Sequence, residues 1–357
     1  MTGRPDDGAG RMTRLPAEAD ELLAAAQQGD EDAYRQLMAP HRAELHAHCY
    51  RMLGSTADAE DALQETLLRA WRGLDRFQGR SSVRSWLYRI ATNACLRLIE
   101  SRPTRVLPTD YGPAADPQQD PGDPGVPVTE AVWIEPYPEQ HLAPGPALGP
   151  EGRYEQRESV ELAFVAALQH LPAGQRAALI LRDVLGFSGA ETARILQTTP
   201  TSVYSSLQRA HKTVRERVPH PSQQATLRAL GSEAQRAIVS RYVQAWQRSD
   251  IAGIVRMLTD DATLSMPPFP VWFRGPDAIG AFFAGHARVA QNRWRAVPAV
   301  ANAQLAAGLY LADDACGAFD PHSLSVLTLR GDQVAAVTAF FVPDSFALFG
   351  LPPTLPA

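Results

Sequence analysis

Residues 186–214 read GFSGAETARILQTTPTSVYSSLQRAHKTV. Apolar positions recur at helical spacing, stop at Thr198–Pro200 and then resume, which predicts two short helices joined by a tight turn. The first, about Gly189–Leu196, turns Ala193 and Leu196 inward. Thr199 or Pro200 begins the second, where Val203, Leu207, Ala210 and Val214 face inward. Thr201, Ser202, Ser205, Arg209 and Lys212 are left outside. This geometry seats a recognition helix in a DNA major groove. Hydroxyl side chains near its start reach base edges or phosphates, and later basic residues lie against the backbone. The same pattern also describes an αα-hairpin that binds nothing, so the surroundings must decide.

The chain has 357 residues, enough for two or three domains. Its formal net charge is −5, so nucleic-acid binding would have to use local basic faces. Those faces are built from arginine, Lys212 being the sole lysine. Cys49, Cys95 and Cys316 are odd in number and widely spaced, which argues against a disulfide framework or zinc site and for buried free thiols. No cofactor motif stands out. No apolar run approaches membrane-spanning length, and the N-terminal residues lack the apolar core of a secretory signal. A cytoplasmic protein without a membrane partner is expected.

Two Pro-rich breaks divide the chain, from about Pro103 to Gly152 and around Val218–Gln224. The first contains an apolar, aromatic island, VWIEPYPEQHL (132–142), which suggests a segment docked on another surface. Before it, Ser55 and Asp58 resemble a capping box ahead of a helix carrying Leu63, Leu67, Ala70 and Leu74 on one stripe. Asp58, Asp61, Gln64 and Glu65 fall on its other face. The helix after FQGRSS turns Trp86, Leu87, Ile90, Ala94 and Leu98 inward and leaves Arg84, Arg89, Asn93 and Arg97 outside. After the second break come three helical stretches and several strand-like runs, with SLSVLTLRGDQVAAVTAFF (323–341) reading as a hairpin turning at Gly331–Asp332. That mixture predicts an α+β cone.

DAEDALQETLLRAWRGLDRFQG (58–79) and SSVRSWLYRIATNACLRLI (81–99), followed by ALQHLPAGQRAALILRDVLGFSGAETARIL (167–196) and SVYSSLQRAH (202–211), resemble RNA polymerase sigma factors of the extracytoplasmic-function group. Two matches in the right order are far more specific than one helix–turn–helix. The resemblance implies a first unit, 20–100, that binds the polymerase clamp and opens the minus-ten element, and a second, 153–218, that reads the minus-thirty-five element. It implies that Asp61, Gln64 and Glu65 touch core RNA polymerase. Arg80, Ser81, Arg84, Tyr88 and Asn93 would meet the melting strand, as arginine and aromatic side chains can hold an unstacked base. Thr201, Ser202, Tyr204, Ser205, Gln208, Arg209 and Lys212 would face promoter DNA. The chain departs from the family at Gln197, where the turn usually has glycine, at Tyr204 and Ser206, where basic residues are frequent, and at IESR (99–102). Fewer phosphate contacts imply weaker non-specific affinity.

DDATLSMPPFPVWFRGPDAIGAFF (260–283) and FVPDSFALFGLPP (341–353) resemble the SnoaL-like extension of some members. The expected order is a disordered tail (1–19), the two all-α units separated by linker 101–152, a short linker (219–231), and an α+β SnoaL-like cone (232–352). That fold hosts cyclases and isomerases, which move protons with a carboxylate or histidine in an apolar cone. Asp261, His286 and Asp314 are the candidate groups, and Trp272, Phe282 and Trp294 the candidate walls of a ligand pocket. The alternatives are a sigma factor regulated by a tethered domain, a cyclase or isomerase carrying DNA-binding helices, and a duplex-binding transcription factor that works without polymerase.

Overall fold

The computed structural model describes residues 15–116, 123–130, 132–142, 150–286, 293–313 and 317–356. The N-terminal unit comprises α1 (Leu15–Gln27), α2 (Glu31–Met38), α3 (Arg42–Leu53), α4 (Thr56–Gly73) and α5 (Val83–Ser101). Asp30 caps α2, Ser55 caps α4 and Ser82 caps α5, each accepting a backbone N–H of the first turn. A short α6 (Pro108–Tyr111) follows in the linker. The second helical unit holds α7 (Pro150–Glu158), α8 (Leu162–Gln169), α9 (Ala173–Leu179), α10 (Gly189–Ile195) and α11 (Pro200–Arg217).

These two helical units share one apolar core. The α3 guanidinium of Arg51, 2% exposed, donates to the Ser159 carbonyl and, at 2.7 Å, to Ser159 Oγ. Arg176 on α9 returns the contact, donating to the carbonyl of Met52 and to Gln169 Oε1. Gly54 makes the close approach possible. Its φ is +69°, and a Cβ there would stand 3.2 Å from the Gln169 side chain. Cys49 and Cys95 are buried free thiols in this core, and Cys316 lies outside the described residues.

The C-terminal unit contains α12 (Gln223–Gln247), α13 (Ile251–Val255), β1 (Leu258–Ser265), β2 (Trp272–Arg274), α14 (Pro276–Gly285), β3 (Trp294–Ala301), β4 (Gln304–Ala312), β5 (Phe319–Arg330) and β6 (Gln333–Phe340). Helix α12 starts ten residues before the Glu233 expected from sequence and bends at Gly231, φ +73°. The strands form one sheet in the order β2-β1-β6-β5-β4-β3, antiparallel except for β1 with β6. The β5–β6 hairpin turns at Gly331–Asp332 as its sequence predicts.

Both faces of this sheet are buried, which explains the almost unbroken apolar run of β4. Ala307 and Leu309 face a core with Tyr242, Trp246 and Phe282, inside the cone. Ala306 and Tyr310 face the core shared with the helical units. The C-terminal tail covers part of that second face. Leu351 packs so closely on Gly308 that a Cβ there would lie 2.5 Å from it, and Tyr310 Oη donates to the Pro352 carbonyl at 2.8 Å.

The apolar island of the linker docks as its composition suggests. Ile134 and Tyr137 are fully buried, and Glu135 Oε2 accepts the N–H groups of Thr56 and Ala57 at the start of α4. Asn302, in the tight β3–β4 turn at φ +53°, joins the pieces. Its Oδ1 accepts the Tyr137 N–H at 2.9 Å, while its Nδ2 donates to Tyr50 Oη and the Val160 carbonyl, both at 2.8 Å.

A second junction is made by Glu161, 2% exposed, whose carboxylate accepts the N–H groups of Gln223 and Gln224 and so caps α12 from the helical unit. Burial pushes its pKa up to about 7, against the pull of those two donors. The folded chain therefore holds this proton more tightly than the unfolded chain, whose glutamates titrate near 4.5. The contribution is largest below pH 4.5 and is lost as pH rises to about 7, by at most about 3 kcal/mol. The urea midpoint should fall between pH 5 and pH 8 in the wild type and fall less in Glu161→Gln. Equal shifts in both chains would contradict this assignment.

Candidate promoter and polymerase interfaces

Helix α10 opens with a full capping box, Ser188 with Glu191, and α11 opens with Thr199 as cap and Pro200 in its first turn. Val203, Leu207 and Ala210 are buried as the spacing predicts. Thr201, Ser202, Tyr204, Gln208, Arg209 and Lys212 are exposed, and Ser205 is half-buried. Tyr204 is 53% exposed and leans on α10, its hydroxyl 2.7 Å from where a Gly189 Cβ would lie. Arg215 and Arg217 extend the basic end of α11. The face can thus offer hydroxyl and amide groups first and cations further along.

The first helical unit differs more from expectation. Asp61 and Gln64 are exposed on α4 and Glu65 is half-buried and paired with Arg69. Leu68, 52% exposed, stands one turn on from them, an apolar group on a polar face. The position was legible as a break in the polar pattern. Asp58 does not belong to that face. It is 4% exposed, with Arg102 and Arg105 closing on it and Arg105 Nη2 at 2.6 Å. Helical spacing could not show that the linker would return over it.

Arg80 is exposed and Ser81 half-buried in the loop before α5. Asn93 is half-buried. Tyr88, expected to meet DNA, is 1% exposed, because Phe187 of the second helical unit packs edge-on against it at 5.2 Å and its hydroxyl reaches Glu44. Arg84 is held in the same contact. It pairs with Glu44 at 3.2 Å, donates to the Leu185 carbonyl at 3.3 Å and lies over the Phe187 ring. Burial works to raise the Glu44 pKa, but His41 and Arg84 outweigh it and hold the carboxyl below its usual range.

Of the residues named for the cone, His286, Phe282 and Trp294 come together around a cavity of about 360 Å³. Trp272 does not line it, since its ring turns to the linker and its Nε1 donates to the Gly112 carbonyl at 2.8 Å. Asp261 lies outside too, exposed and paired with Arg330 at 2.9 Å. Both misplacements follow from strand alternation, which fixes a face only once the register is known. Asp314 lies outside the described residues. Among the described residues no cluster of His, Cys, Asp or Glu could hold a metal, and no helix is long and apolar enough to cross a membrane.

Family models match the same three parts: Sigma-70 region 2 at residues 37–103, Sigma-70, region 4 at 161–214 and a SnoaL-like domain at 239–341. The ECF RNA polymerase sigma factor SigG of Mycobacterium tuberculosis is 41% identical over 334 residues, covering 93% of this chain and 86% of that protein. The chain belongs to the ECF RNA polymerase sigma factors. SigM of the same organism is 34% identical over 204 residues, 56% of this chain and 83% of its own. The crystal structure of the extracytoplasmic function sigma factor SigJ of Mycobacterium tuberculosis matches in fold, with a TM-score of 0.56 at 21% identity, over 89% of this chain and 99% of that one.

In this sigma factor the turn between α10 and α11 runs through Gln197 in the left-handed region, φ +54°, where the family's glycine would sit without strain. Gln197→Gly should raise the thermal stability of the chain by about 0.5–1 kcal/mol while leaving the exposed face of α11 in place. Calorimetric unfolding checks this, and an unchanged or lowered midpoint would contradict it.

Proposed function

We propose that this sigma factor binds core RNA polymerase, directs promoter-specific initiation, and rests in a closed state maintained by its own C-terminal domain. The observation that carries the closed state is the seat of Arg84 and Tyr88 against Leu185 and Phe187. These α5 side chains are the ones expected at the melting strand, and the second helical unit covers them.

Distance points the same way. The minus-ten and minus-thirty-five elements are centred about 25 base pairs apart, or about 80 Å of B-form DNA. Two packed units of this size have centres only about 30 Å apart. Reading both elements at once therefore requires the units to separate. The C-terminal domain opposes separation, since Asn302 bonds to Tyr50 of one unit, Val160 of the other and Tyr137 of the linker. The exposed face of α4, with Asp61, Gln64, Glu65 and Leu68, stays free in the closed state and is the proposed landing site for polymerase. Binding there and to DNA would favour the open arrangement only by making better contacts with it.

The reading is of a regulated transcription factor rather than an enzyme. The carboxylate Asp261 points away from the cone, and the described lining of its cavity contains no Asp or Glu. Run-off transcription with purified core polymerase tests the proposal, using the full chain, Asn302→Ala, and a chain ending at Pro221. Loosening the clamp should increase transcripts several-fold at limiting sigma factor. Equal or lower output from both altered chains, with polymerase binding intact, would overturn the inhibitory role. Failure of the full chain to bind polymerase or select a start site would overturn the function itself.

A further inference from the structure

The cavity in the cone has features that packing alone leaves unexplained. Its wall is aromatic and apolar, including Trp246, Phe269, Phe282, Trp294 and Phe341. Among its described lining residues there is no Lys, Arg, Asp or Glu. Yet Tyr242 Oη, Trp246 Nε1 and Ser325 Oγ are buried there without a hydrogen bond of ordinary geometry. Their residues are 1%, 5% and 1% exposed. Three buried groups able to donate, left unsatisfied in an apolar chamber, are costly for a domain to keep. The cost is offset when something with an acceptor atom occupies the space. A cavity of about 360 Å³ falls in the range of small-molecule pockets.

The mouth of this chamber is closed by the linker between the two sigma units. Pro124 is part of the lining. Four residues on, the Val128 N–H donates to the Pro268 carbonyl at 2.9 Å, beside Phe269 of the wall. The Trp133 indole then donates to the Val128 carbonyl at 2.9 Å, and Trp133 leads directly into the docked island Ile134–Tyr137. The strap over the cavity and the segment gripped by Asn302 are therefore one continuous piece of chain.

We propose that the cone binds a neutral aromatic compound of one to three rings bearing a carbonyl or similar acceptor oxygen, held by Tyr242, Trp246 and Ser325 under a lid formed by residues 123–130. A bound molecule in contact with Pro124 stabilises the lid on the cone and so steadies the linker. The consequence for transcription rests on the closed-state reading above; the binding does not. Charged ligands are disfavoured because the described wall offers no counter-ion.

Calorimetric titration of the full chain with 1-tetralone, a neutral bicyclic aryl ketone, tests the chemistry against tetralin, the hydrocarbon of the same frame. The ketone should bind saturably, one per chain, and at least about tenfold tighter than the hydrocarbon, the worth of one buried hydrogen bond. Tyr242→Phe and Ser325→Ala should shrink that preference, with unchanged circular dichroism showing that the fold survives. The Val128 amide should exchange more slowly with solvent when ketone is bound. Absence of saturable binding, or equal affinity for the two compounds in the wild type, overturns the site. Ketone binding that leaves Val128 exchange unchanged overturns the lid. A failed closed-state reading would show instead in the transcription comparison and would leave the titration intact.

Discussion

The Asn302 carboxamide is where the first helical unit, the linker, the second helical unit and the C-terminal sheet meet. It is fully buried, and every printed bond it makes crosses to a segment far away in sequence. A carboxamide suits the position because it accepts and donates at once. Asparagine also tolerates the left-handed turn conformation that aims it. Losing it would leave the Tyr137 N–H and the Val160 carbonyl unsatisfied in the interior, a penalty of about 1–3 kcal/mol for each group left bare.

Around that point the same logic recurs: backbone groups of one unit are satisfied by side chains of another. Arg51 reaches Ser159, Arg176 reaches the Met52 carbonyl, Glu135 caps α4, and Glu161 caps α12. Such contacts are strong when formed and leave exposed polar groups that water can satisfy when broken. Junctions of this chemistry can open without the cost of baring a large apolar face, which suits a molecule that must exist in closed and extended arrangements. The apolar part of the interface, where Phe187 covers Tyr88, is small by comparison and sits on the surface expected to hold DNA.

Local patterns in the sequence carried most of the architecture. The helix–turn–helix was legible because its apolar stripe and its Thr199–Pro200 start are set within a few residues. The β5–β6 hairpin was legible from Gly331–Asp332, and the docking island from its contrast with the proline-rich residues around it. The site was less legible. Thr201 to Lys212 lie on the exposed side because helix periodicity decides that directly. Arg84, Tyr88 and Asp58 were misplaced because what covers them arrives from Phe187, Leu185, Arg102 and Arg105, and no spacing rule within α4 or α5 anticipates those arrivals. Trp272 and Asp261 fall on the wrong side of the cone wall for a related reason: the face of a strand depends on pairing with β1 and β6, which the strand's own residues do not encode.

The most direct measurement is the distance between probes on exposed Arg72 of α4 and Arg215 of α11, taken by fluorescence energy transfer in the free chain and with core polymerase added. A short, narrow distribution in the free chain is expected, broadened by Asn302→Ala and replaced by a distance tens of ångströms longer on polymerase. If the free chain already shows the long separation found on polymerase, the two units are not held together and the closed state has no part in this protein's control.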